Sequence, residues 1–137
     1  MTYKHIIALF VFSLTSVFAT SQVCILDIGS KNSEKVIETF QLKEKQLETL
    51  KVLKDDVKLA TDAIDEKVKV LLETHPQSTP EELTVLAEKH KELEEEMFGV
   101  IIEYDQKLIS IFNEKQYERY VLLCNTASRT PITITEE

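Results

Sequence analysis

Glycine occurs twice in these 137 residues, proline three times, cysteine twice and tryptophan not at all. Each shortage disfavours a class of function. No glycine-rich phosphate loop and no nucleophile elbow is present, and paired carboxylates for acid–base work cannot be singled out from 24 acids at helical spacing, so the expectation is that the chain is not an enzyme. No CxxC spacing occurs, which leaves redox catalysis and Cys-type zinc sites without support. Positive charge is short as well: 16 Lys and Arg stand against 24 Asp and Glu, a net charge of −8. Phosphate recognition is driven by clusters of Lys and Arg, so nucleic acid and anionic membrane surfaces are disfavoured as partners. Basic or partly unfolded polypeptides suit such a surface better.

What is present begins with a leader. Lys4 supplies a positive start, and "IIALFVFSLTSVF" from Ile6 to Phe18 is an apolar run of 13 residues. That is shorter than the roughly 20 residues needed to span a bilayer, and it is interrupted by Ser13, Thr15 and Ser16. Ala19 and Ser21 fit the −3 and −1 positions of a cleavage before Gln22, so residues 1–21 read as a secretory signal peptide, with a retained anchor as the alternative. Val23 stands before Cys24 where lipidation needs a small residue, which excludes a lipoprotein. Loss of Lys4 with the leader takes the net charge to −9 and leaves one domain's length of chain. No second hydrophobic span follows, so no stable membrane insertion is expected after cleavage. The expected location is outside the cytoplasm, in the periplasm.

Cys24 and Cys124 lie near the two ends of the mature chain. In an oxidising compartment an even count reads as a disulfide, against the alternatives of two buried thiols or an intermolecular bridge. A loop of about 100 residues closed in this way is stabilised by roughly 4.7 kcal/mol in the chain-entropy account.

Between Ser33 and Cys124 the composition is that of long helices, rich in Glu, Lys and Leu. Asn32 or Ser33 is a natural N-cap for a short helix running to about Phe40. From Leu42, apolar residues at Leu50, Leu53, Val57, Ala60, Ile64 and Leu71 step by three and four, with Lys67 in the gap. That is one apolar stripe down a long helix. "THPQSTPEE" ends it, and Thr79, Pro80 and Glu82 form the N-cap, N1 and N3 of a capping box that starts the next. The second stripe is Leu83, Leu86, His90, Leu93, Met97, Val100 and Tyr104, drifting to Ile101, Leu108 and Ile111. Gly99 is expected to permit a close approach or a bend. Two helices of about 30 residues, each near 45 Å long and joined by a short turn, must pack antiparallel. The expected fold is all-α: a long antiparallel helical hairpin over residues 22–124 with short flanking helices, and a C-terminal tail over 125–137. "VCILDI" and "PITIT" alternate like short extended segments at the two mature termini, to pair beside the disulfide or to fray.

His90 and Glu94 lie one turn apart, but two weak ligands make no site. A structural histidine is the better reading, and neither metal nor cofactor is expected. Apolar residues off the two stripes, among them Val52, Leu59 and Val70, need cover from the flanking helices, a second copy or a client.

A repeat links the two halves. Aligning Gln41–Leu53 with Ile111–Leu123 matches Glu44 to Glu114, Lys45 to Lys115, Gln46 to Gln116, Glu48 to Glu118 and Leu53 to Leu123. Each copy opens on a large apolar residue, Leu42 or Phe112, and carries Glu-Lys-Gln into a helix. Gln at N3 reaches back to the N-cap backbone; Asn113 is a good N-cap and Lys43 is not.

This doubled motif, Leu42-Lys43-Glu44-Lys45-Gln46 and Phe112-Asn113-Glu114-Lys115-Gln116, resembles the LTxxQ pentapeptide carried twice by the Spy/CpxP-like periplasmic proteins. The likeness covers roughly residues 33–124. It departs from the pattern at Thr in both copies and at Leu in the second. The resemblance implies a cradle-shaped, usually dimeric helical protein, acting as an ATP-independent chaperone or an envelope-stress adaptor. The expected partners are unfolded or partner polypeptides and a second copy of the chain, with Phe98, Ile102, Ile109 and Phe112 as contacts for a client or a dimer. The alternative is a structural, scaffolding coiled-coil homodimer with no client.

Overall fold

The computed structural model describes residues 24–127. The signal peptide, its cleavage site and the "PITIT" segment lie outside those residues. Four helices follow in order: α1 Ser33–Phe40, α2 Glu44–Thr74, α3 Pro80–Ile109 and α4 Glu114–Ala127. The expected hairpin is present, with α2 and α3 packed along each other and α1 and α4 meeting at its base. α4 continues three residues past Cys124, to Ala127.

Local chemistry explains the boundaries. At the hairpin turn, Thr79 Oγ1 accepts the Glu82 N–H at 3.2 Å, and Glu82 Oε2 accepts the Ser78 and Thr79 N–H groups at 2.8 and 3.1 Å. α1 ends differently. Gln41 adopts a left-handed φ of 49°, the Leu42 N–H reaches Ile37 O, and the Gln41 N–H reaches Glu38 O. That is a Schellman closure in which glutamine holds a position that normally favours glycine. It delivers Leu42 into the core beside Val36 and Ile37.

The core sits at the base, where Ile28, Val36, Phe40, Leu42, Leu50 and Leu108 are buried together. Phe112 and Phe40 pack ring to ring at 4.8 Å. Further out, the stripe of α2 holds as Val57 and Ile64, while Lys67 is exposed and reaches across to Glu96 on α3 at 2.7 Å. Val68, next to it, is half-buried and lines the groove between the two helices. On α3, Leu86 is buried and Leu83 is not.

Two expectations are corrected here. Gly99 faces open space, with no atom within 4 Å of where a Cβ would sit, so no close approach requires it. Gly29 is the glycine that does: a Cβ there would meet Val57 Cγ1 at 2.9 Å. Cys24–Ile28, the described part of "VCILDI", is no strand either, and the described residues contain none. Its backbone donors find a side chain instead of a ladder.

Candidate functional site

That side chain is Asp105, on the inner side of α3 and 2 % exposed. Its Oδ2 accepts the N–H groups of Leu26 and Asp27 at 2.7 and 2.9 Å, and its Oδ1 accepts that of Ile28 at 3.1 Å. Asp27 takes a φ of 53°, and three successive N–H groups converge on one carboxylate, as in a backbone anion nest. Burial pushes the Asp105 carboxyl above its usual value; the N–H donors of Asp27, Ile28 and Leu26 pull it back, and the nearby Asp27 charge raises it further. The segment Cys24–Ser30 is thereby strapped across the base of the hairpin. The Tyr120 hydroxyl donates to Cys24 O at 3.1 Å, and burial raises the phenol's pKa. Cys24 and Cys124 are joined by a disulfide with a Cα–Cα distance of 5.6 Å, so the intramolecular pairing expected from the sequence is present.

The two motif glutamines meet. Gln46 and Gln116 exchange amide hydrogen bonds, Nε2 of Gln46 to Oε1 of Gln116 at 2.8 Å and the reverse at 3.0 Å. Each also accepts its own N-cap N–H, from Lys43 at 3.0 Å and from Asn113 at 2.9 Å. Each donates a further bond across the base, Gln46 to Ile111 O and Gln116 to Phe40 O, both at 2.9 Å. Asn113 Oδ1 caps the Gln116 N–H at 3.0 Å, whereas the Lys43 ammonium has no lone pair to offer. The helix-start role expected of Gln46 and Gln116 is therefore half of their geometry. The other half is a reciprocal clasp between α2 and α4.

Above the strap, the hairpin carries a furrow. A groove of about 390 Å³ is lined by Ile64, Val68, Leu93, Met97, Phe98 and Ile101, with Asp65, Glu94 and His90 at its edges. A second depression of about 360 Å³ lies between Gly29–Ser30 and the hairpin at Val57 and Thr61. Both include Asp65, Met97 and Ile101, so they form one trough that starts where the strap stops. Of the four contacts expected from sequence, Phe98 lines this trough and is 44 % exposed. Ile102 and Ile109 are half-buried, and Phe112 turns inward onto Phe40. His90 Nδ1 stands 3.5 Å from Glu94 Oε1.

Sequence reasoning missed Asp105, the clasp and the trough. Asp105 had a signal: it sits four residues after Ile101 and three before Leu108, an acid at the spacing of the apolar stripe. Of the trough residues, Ile64, Leu93, Met97 and Ile101 belong to the stripes that the sequence shows, and nothing in their spacing distinguishes a sealed stripe from an open one. Among the described residues no helix is long and apolar enough to cross a membrane. Comparison with protein-family models, with curated proteins and with solved structures finds no match for this chain.

Proposed function

We propose that the chain is an exported, non-enzymatic protein that binds unfolded or partner polypeptides on the apolar surface of its hairpin, as an ATP-independent chaperone or an envelope-stress adaptor. The observation that carries this reading is the trough, an apolar channel left open along a hairpin whose base is closely packed. An apolar floor between polar edges, left uncovered on an otherwise helix-packed face, is what a docking segment can use. A Spy/CpxP-like origin is consistent with the clasp, since it gives both motif copies a shared structural task. The disulfide favours an oxidising compartment such as the periplasm.

The test is light scattering from a chemically unfolded client. Equimolar oxidised protein should suppress aggregation, and Phe98→Glu should reduce the effect. Unchanged scattering with the wild-type protein would sink the reading.

A specific observation favours the second reading, a scaffolding homodimer. Val52, Leu59 and Val70 are 59, 74 and 47 % exposed. Steps of seven and eleven residues place them on one stripe of α2, away from the α3 contact. A tight dimer in sedimentation that binds no hydrophobic dye would establish this alternative in place of the first.

A further inference from the structure

The trough has one occupant already in view. The strap enters its basal end as irregular chain, not as helix, and Ile28 is 1 % exposed within the base core. At that end Asp27–Ser30 form a turn, with the Ser30 N–H on Asp27 O at 3.1 Å, so the space between the two helices accepts non-helical backbone that lowers an apolar side chain inward. Beyond Ser30 the strap turns away into α1, and the trough runs on empty of backbone past Met97 towards Val68 and His90.

The charges along the rim are mostly of one sign. Asp27, Asp62, Asp65 and Glu94 border the trough, against Lys58 as the one lysine. Lys58 is engaged by Asp62, and both are exposed. Among the described residues Asp27 and Asp65 enter no ion pair. An apolar floor between acidic edges repels an acidic segment and attracts one in which Lys or Arg flanks apolar residues.

We infer that the trough binds an extended segment of a partner polypeptide in which basic residues alternate with apolar ones, laid end to end with the protein's own Cys24–Ser30 strap. This rests on the polypeptide-binding reading above and names the class of segment it takes. Alternation suits the geometry because successive side chains of an extended chain point to opposite sides. Apolar side chains enter the trough, and basic ones reach outward to Asp65 and Glu94. Salt weakens the attraction, because exposed charges are screened over about 8 Å at physiological ionic strength.

Anisotropy titration of the oxidised protein with labelled eight-residue peptides, alternating Leu with Lys, Ser or Glu, tests this. The Lys peptide should bind at least about tenfold more tightly than the Glu peptide, with the Ser peptide between them. Asp65→Lys, at an exposed position, should leave the helical circular dichroism unchanged and weaken the Lys peptide by about fivefold to tenfold. Phe98→Ser should weaken all three. Equal affinities, or an Asp65→Lys variant that binds like wild type, would overturn the inference, while aggregation suppression by the wild type would keep the broader reading standing. Loss of both would remove both. If Phe98→Ser instead turns a dimer into a monomer in sedimentation, the occupant is a second copy. If peptides bind only after residues 128–137 are removed, the occupant is the chain's own tail. Either result overturns the inference.

Discussion

Asp105 sets two effects against each other on one side chain. Three N–H donors favour its carboxylate, burial and the Asp27 charge favour its acid, and burial is the larger influence. A native pKa above the usual 3.8 means that the folded protein holds this proton more tightly than the unfolded chain. The group's contribution to stability is then fully present below the ordinary value and is lost as pH rises through the raised one. Asp105→Asn removes that dependence and turns an amide N–H₂ towards the backbone donors. It should destabilise the fold by about 2 kcal/mol, the cost of leaving a buried donor unmatched. The wild type's advantage in urea midpoint should widen as the solution is acidified from neutrality towards pH 3.8. An advantage that narrows would mean the N–H donors outweigh burial. Gln41 is a second isolated case: at a φ of 49° its Cβ is strained, and the residue is exposed. Gln41→Gly should raise stability by about 0.5–1 kcal/mol in the same assay, and a loss would refute the strain argument.

The helices were legible in the sequence because their signals are local. Thr79, Pro80 and Glu82 announce α3 within four residues, and stripes in steps of three and four mark which faces of α2 and α3 meet. What was not legible depends on partners far along the chain. Asp105 serves donors 77 to 79 positions away, and Gln46 meets Gln116 across 70. The repeat drew attention to the two glutamines but pointed each at its own helix. Lys67 shows the limit of stripe counting: the apolar side chain on the groove there is its neighbour Val68, a shift of one residue that the steps alone do not select. The clasp can be isolated by a double-mutant cycle. Gln46→Ala and Gln116→Ala should each destabilise, Gln116→Ala more, by about 2 kcal/mol, because it is buried and holds Phe40 O. Their coupling should be about 1 kcal/mol, and additive effects would show that the reciprocal amide bonds contribute nothing.

Across the whole molecule, stability is unevenly distributed. Strap, clasp, ring pair and disulfide all gather at the base, while further out the hairpin is held by Val57, Ile64, Leu86 and the Lys67–Glu96 pair. The disulfide, closing a loop across 100 residues, contributes up to about 4.7 kcal/mol by restricting the unfolded chain. It also determines where a mechanical load travels. Between Cys24 and Cys124 the chain is a closed ring, so tension applied outside those two residues passes through sulfur and bypasses all the backbone between them. Pulled from handles at residues 24 and 127, the oxidised protein should extend only by the few residues beyond Cys124. The reduced protein should rupture and release roughly 330–360 Å of chain, the contour length of the freed 100-residue loop. A long extension in the oxidised state would show that the ring is open. With the ring closed, the hairpin hangs beside the line of force, and a partner seated in its trough would feel none of the pull.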